Sequence, residues 1–130
     1  MKILIADDHI LLTDTLCMFL EGQGNIACST APDLDAALDK VDSEGPFDLI
    51  MLDYNMPGMS GLNGLKKALA HNGGQRVALI SGTPARSVAE QALASGAAGF
   101  VPKTLSAKSL LNAVRFMAMG EQYAPINFMT

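Results

Sequence analysis

Asp7, Asp8, Asp53, Ser81 and Lys103 are the residues of this 130-residue chain whose types and spacing could do chemistry. Each closes a short hydrophobic run. Asp7-Asp8 follow Ile3-Leu4-Ile5-Ala6, and Asp53 follows Leu49-Ile50-Met51-Leu52. Ser81 follows Val77-Ala78-Leu79-Ile80, and Lys103 follows Gly99-Phe100-Val101-Pro102. If those runs are parallel strands, ligands bind in the crevice outside their carboxyl ends, and the five side chains converge there. Three carboxylates, a hydroxyl and an ammonium suit a divalent cation and a phosphoryl group. Crowded carboxylates repel, so without a cation at least one has a raised pKa. Mg²⁺, an ion of oxygen ligands, removes that repulsion. Asp53 is the nucleophile candidate, because a carboxylate can accept a phosphoryl group as an acyl phosphate. Transfer then needs in-line positioning and charge neutralisation more than a general base. Mg²⁺ and Lys103 would neutralise, and Ser81 would donate to a phosphoryl oxygen. Alone, Asp7-Asp8 would read as acids at a helix start; a further carboxylate at Asp53 argues for a site.

The elements that must position these residues alternate between two periods. Apolar runs of strand length lie at Lys2–Ala6, Asn25–Thr30, Leu49–Leu52, Arg76–Ile80 and Gly99–Pro102. Between them run stripes of helical spacing. Leu11, Leu12, Thr15, Leu16, Phe19 and Leu20 make one; Leu34, Ala37, Leu38 and Val41 the next. Leu62, Leu65 and Leu69 follow, then Val88, Ala89, Ala92 and Leu93, then Leu110, Leu111, Val114, Met117 and Ala118. Pro32 and Pro84 suit first helical turns, and Gly22, Gly73-Gly74, Gly96 and Gly120 suit helix ends. Strand–helix units repeated in this way predict an α/β protein with a doubly wound, five-stranded parallel sheet and right-handed crossovers. Pro102 removes a ladder donor, so the fifth strand belongs at an edge. The flavodoxin-like order 2-1-3-4-5 puts it there and sets the first and third strands side by side. Residues 1–120 form the domain; at 121–130 the pattern stops, and Pro125 lies in that tail.

Composition narrows the class. Hydrophobic residues make up 49%, which excludes disorder, and no apolar run has transmembrane length. The N-terminus lacks a signal-peptide pattern, so the expected location is cytoplasmic. Net charge is −4 and no basic cluster exceeds Lys66-Lys67, so DNA binding would need another domain. Cys17 and Cys28 each fall in an apolar element and predict buried, reduced thiols; no spacing suggests zinc.

The chain resembles the receiver domains of two-component response regulators over nearly all of residues 1–120. The resemblance is carried by Ile5-Ala6-Asp7-Asp8-His9, by Asp53-Tyr54-Asn55-Met56-Pro57-Gly58-Met59-Ser60-Gly61, by Ile80-Ser81-Gly82 and by Gly96-Ala97-Ala98-Gly99-Phe100-Val101-Pro102-Lys103. It implies that Asp53 is the phosphoacceptor for a sensor histidine kinase. It implies direct Mg²⁺ ligands at Asp8 and Asp53, the backbone carbonyl of Asn55 as a further ligand, and Asp7 assisting. Lys103 matches the lysine that pairs with the phosphoryl group. Ser81 matches the switch hydroxyl and Phe100 the switch aromatic, which relay the change to the surface of the fourth helix, fifth strand and fifth helix. Asn55 and Thr83 match positions that tune dephosphorylation. Departures are serine for the commoner threonine at 81, phenylalanine for the frequent tyrosine at 100, and Thr104 where many receivers carry proline and a cis peptide. Pro102-Lys103-Thr104-Leu105-Ser106 and Gly120-Glu121-Gln122-Tyr123-Ala124-Pro125 resemble the subfamily whose receivers precede a LuxR-type helix-turn-helix.

The implied function is a phosphorylation-dependent signalling switch, catalytic only toward its own phosphorylation and slow hydrolysis. Two other classes compete: an unphosphorylated pseudo-receiver that only docks, and an aspartyl-phosphate phosphatase or phosphotransferase. Pseudo-receivers usually lose an acid or the lysine. The enzymes typically place the nucleophile after the first strand with an acid two positions on, which Ala6-Asp7-Asp8-His9-Ile10 lacks. Nucleotide-binding glycine motifs are absent. His9 is expected to open the first helix near the pocket mouth, His71 to be solvated, and Met18 and Met51 to fill core. Phe116 and Met119 project from the fifth helix away from its core stripe, which suggests a homodimer or partner surface unless the tail covers them.

Overall fold

The computed structural model describes residues 1–74, 76–83 and 85–124. Its elements run β1 (Lys2–Ala6), α1 (Ile10–Glu21), β2 (Ala27–Ala31), α2 (Leu34–Glu44), β3 (Leu49–Asp53), α3 (Asn63–His71), β4 (Val77–Ser81), α4 (Arg86–Ala94), β5 (Gly99–Pro102) and α5 (Ala107–Ala118). All strand pairs are parallel, in the order β2-β1-β3-β4-β5, as expected. β5, with Pro102 in it, lies at the edge.

Side chains alternate across the sheet because strand residues point to opposite faces in turn. Leu4, Ala6, Ile50, Leu52, Val77, Leu79 and Phe100 face α2, α3 and α4. Ile3, Ile5, Leu49, Met51, Ala78, Ile80 and Val101 face α1 and α5. β1, β3 and β4 are covered on both sides, which is why they read as continuous apolar runs. Their carboxyl ends share one edge, set by the pairing of Ala6 with Leu52, Asp53 with Ile80, and Ser81 with Pro102.

Local backbone conformation trims two strands. Asn25 and Arg76 take positive φ, 63° and 52°, so β2 and β4 begin after them. Pro32 lies before α2 rather than in its first turn. Asp33 caps that helix, its Oδ1 accepting from the Ala36 N–H at 2.8 Å. Pro84 lies outside the described residues.

The inner face of α1 is rotated from the expected stripe. Thr13, Cys17 and Leu20 are buried, whereas Leu11 and Met18 are 84% and 76% exposed. Met18 is therefore not core filler; Met51, fully buried, is. The apolar residues of α1 nearly encircle it, so packing selected the face, and the Thr13 hydroxyl is satisfied by the Ile10 carbonyl at 2.9 Å. The same rotation turns Cys17 toward Cys28 on β2. They form a disulfide, with Cα atoms 5.5 Å apart, which overturns the expectation of reduced thiols. Elsewhere Asn72, at the end of α3, clamps the loop before β3: it accepts from the Phe47 N–H at 2.9 Å and donates to the Phe47 carbonyl at 3.1 Å. No helix among the described residues is long and apolar enough to cross a membrane.

Candidate functional site

The sheet brings the predicted residues together at its carboxyl edge. Asp7 and Asp53 are buried beside each other at the ends of neighbouring strands β1 and β3. Lys103, just past β5, reaches across β4 to both. Its Nζ lies 2.8 Å from Asp7 Oδ2 and 3.3 Å from Asp53 Oδ2. The turn that aims it is pinned by its own N–H, donated to the Ser81 carbonyl at 2.9 Å. Asp53 Oδ1 accepts from the Asn55 N–H at 3.3 Å, and Ser81 Oγ from the Thr83 N–H at 3.2 Å. Asp8, Asn55 and Thr83 are exposed around the mouth of the pocket.

His9 stands closer to this chemistry than its expected place at the helix start suggests. It is the N-cap of α1, but its N–H donates to Asp7 Oδ1 at 2.9 Å and its ring Nδ1 lies 2.8 Å from the same oxygen. Nδ1 is also 3.2 Å from Lys103 Nζ and 3.5 Å from Asp8 Oδ1. The signal available in sequence was its adjacency to the acidic pair.

Electrostatics separates the two buried aspartates. For Asp53, burial and then the negative charge of Asp7 push the carboxyl above its ordinary value, outweighing help from Asn55 and Lys103. For Asp7, burial pushes upward too, but the Lys103 ammonium and the two contacts from His9 together hold it below its ordinary value. Burial lowers Lys103, yet the paired aspartates leave it raised and firmly charged.

One carboxylate oxygen each from Asp7, Asp8 and Asp53, with a His9 nitrogen, lie within 4.8 Å of one another. This donor set fits Mg²⁺: it is mostly hard carboxylate oxygen, and it carries more negative charge than Lys103 offsets. Asp7 Oδ2, fully buried, has no well-aimed hydrogen bond beyond its charge contact with Lys103, so the pocket has acceptor capacity to spare.

Two switch candidates lie on one sheet face. Ser81 sits two residues beyond Leu79, and Leu79 pairs with Phe100, so Ser81 and Phe100 are on adjacent strands facing α4. Phe100 is packed inward at 1% exposure. On α5, Phe116 and Met119 are exposed, at 42% and 73%. Of the tail, Tyr123 borders the same shallow groove as Phe116, with Ser109, Asn112 and Ala113. Residues 125–130, which include most of the segment that would cover Phe116, lie outside the described residues.

Residues 3–115 match the response regulator receiver domain model. The chain is 34% identical over 125 residues to the glycerol metabolism activator of Pseudomonas putida, which covers 95% of this chain and 57% of that protein. It therefore spans little more than half the length of that curated relative. The crystal structure of a LuxR family DNA-binding response regulator from Silicibacter pomeroyi aligns with TM-score 0.84 and 31% identity, covering 97% of this chain and 98% of that one. The signal receiver domain of the response regulator NarL from Mycobacterium tuberculosis aligns at 0.80 and 31%, covering 92% and 97%. With its 2-1-3-4-5 sheet and its acids gathered at the strand ends, this chain belongs to the receiver domains of two-component response regulators.

Proposed function

We propose that this domain is a phosphorylation-dependent switch in which Asp53 accepts a phosphoryl group from a sensor histidine kinase. The observation that carries the reading is the convergence of Asp7, Asp53 and Lys103 within 3.3 Å contacts at three strand ends, with Ser81 at the strand between. Asp53 Oδ attacks the phosphorus of the donor's phosphohistidine, the P–N bond breaks, and the histidine nitrogen leaves with the bonding electron pair. Lys103 would hold one phosphoryl oxygen, and Ser81 would donate to another once its hydroxyl turns inward. Asp8, Asp53 and the Asn55 carbonyl would hold Mg²⁺ with Asp7 assisting, and the ion would neutralise charge developing on the phosphoryl oxygens. The raised pKa of Asp53 supports this assignment, because a carboxylate crowded by another acid gains most from a cation. Asn55 and Thr83 would govern access of the water that hydrolyses the acyl phosphate, a role their exposure at the mouth supports.

Ser81 and Phe100 would pass the change to the α4–β5–α5 surface. The names of relatives support a transcriptional output, delivered by a DNA-binding domain outside these residues. Phe116 and Met119 offer a homodimer contact on α5. Receivers of this family are typically signalling domains rather than enzymes, and the proposed chemistry is confined to the domain's own acyl phosphate.

The test is intact mass after incubation with acetyl phosphate and Mg²⁺. One added phosphoryl group, missing in Asp53→Asn and without Mg²⁺, is the expected result. No gain by a folded protein would overturn the reading in favour of a docking module. Turnover of an external phosphoester would point to an enzyme.

A further inference from the structure

The chain does not leave the domain at the end of α5. It turns at Gly120, whose φ of 98° favours glycine, and the Glu121 N–H donates to the Phe116 carbonyl at 3.3 Å. The Gln122 side chain then binds the C-terminal end of α4, its Nε2 donating to the Leu93 and Ala97 carbonyls, each at 3.1 Å. One residue further, Tyr123 forms a parallel bridge with Gly99 on the outer edge of β5. Its N–H donates to the Ala98 carbonyl at 2.8 Å, and its carbonyl accepts from the Phe100 N–H at 3.1 Å. Three residues, Glu121, Gln122 and Tyr123, thus touch α5, the end of α4 and β5, and one bond is made to the main chain of Phe100 itself.

Two features of sequence suit this contact to being both specific and breakable. At Gly99 a Cβ would lie 2.9 Å from the Tyr123 carbonyl oxygen and 2.6 Å from Met117 Sδ, so the close approach requires glycine. In the register of the Gly99–Tyr123 bridge, the next rung would draw on N–H groups of residues 102 and 125. Both are prolines and have none. A further rung in this register would therefore lack both of its donors.

We infer that residues 121–123 are a strap that reads the switch: it docks on β5 when Phe100 is packed inward, and phosphorylation of Asp53 tightens it. The inference rests on the proposed role of Asp53. The structure has Phe100 inward and the strap docked at once, and the Phe100 N–H donated to the Tyr123 carbonyl is the main-chain contact through which a movement of residue 100 would reach the strap. Linkage makes the coupling reciprocal, so a freed strap weakens the phosphorylated state.

Amide hydrogen exchange on the full chain tests this, with intact mass run on the same samples. In the unphosphorylated protein, Tyr123→Pro removes the donor to Ala98. The Phe100 amide is expected to exchange several-fold faster while the amides of Ile3–Ala6 keep their rates. Gln122→Ala, a surface change, is expected to act in the same direction. With acetyl phosphate and Mg²⁺, the wild-type Phe100 and Tyr123 amides are expected to slow several-fold, and Gln122→Ala to accumulate less phosphoprotein. Unchanged Phe100 exchange in both variants overturns the strap. A phosphoryl gain by mass with no change at Phe100 and Tyr123 overturns the coupling and leaves Asp53 as acceptor. Absence of any phosphoryl gain overturns the Asp53 reading and, with it, the switch the strap would read.

Discussion

At the scale of single residues, the two buried aspartates are expected to respond oppositely to removal of charge. Asp53 has a raised folded-state pKa, chiefly through burial and the Asp7 charge. Its ionised form therefore weakens the metal-free fold above that pKa, and the penalty vanishes below the ordinary carboxylate value of about 4. Asp7 has a lowered pKa, so its ionisation stabilises the fold above the ordinary value. That contribution is lost as pH falls through the lowered one. In a chelator at pH 7, Asp53→Asn is expected to melt higher than wild type and Asp7→Asn lower. Both differences should shrink toward pH 3. Melting curves across that range decide it, and an Asp53→Asn protein that melts lower at pH 7 would contradict the repulsion between the Asp7 and Asp53 carboxylates. Asp7-Asp8, Asp53, Ser81 and Lys103 were legible as a group because the acidic pair and each of the other three follow separate apolar runs. The contacts of His9 with Asp7 and Lys103 were not, because they depend on how α1 leaves the strand.

At the scale of elements, the least visible supports are cross-connections. Asn72 exchanges two hydrogen bonds with Phe47 in a buried setting. Asn72→Ala leaves both main-chain groups unpaired and is expected to cost about 2–6 kcal/mol, from roughly 1–3 kcal/mol per buried unsatisfied group. Urea denaturation gives the value; a loss below about 1 kcal/mol would mean that water replaces the amide. The Cys17–Cys28 disulfide joins α1 to β2 across 11 residues. Loop-closure entropy puts its contribution at about 3 kcal/mol or less. Reduction is expected to lower the denaturation midpoint by a corresponding amount, with a mass increase of about 2 Da from two added hydrogens. Helix and strand identities followed from period and punctuation. The facing of α1 did not, because Leu11, Leu12, Leu16, Met18, Phe19 and Leu20 offer more than one apolar stripe.

At the scale of the whole molecule, the acidic pocket and the α4–β5–α5 surface are joined by adjacent strands β4 and β5. Phe100, a fully buried ring between them, is expected to cost about 3–5 kcal/mol when truncated to alanine, so its switch role is better probed by Phe100→Leu. The exposed Phe116 and Met119 give the domain an apolar patch on α5. If this patch joins two copies, sedimentation should show a dimer, strengthened by phosphorylation, that Phe116→Asp abolishes while the dilute, monomeric protein keeps its melting temperature. Monomer throughout would remove the dimer reading and leave another partner or the tail as the cover of the patch.

Sequence alone determined the α/β class, the edge position of β5 and the set of acidic, hydroxyl and ammonium groups. Apolar period, proline and the residue closing each run are local properties of the chain. Tertiary structure alone decided that Lys103 spans to Asp7 and Asp53, that Cys17 meets Cys28, and that Tyr123 returns to the main chain of Phe100. Those contacts join residues distant in sequence or on separate elements. Their geometry is set by strand order, by the rotation of packed helices and by the turn after α5, none of which a local pattern encodes.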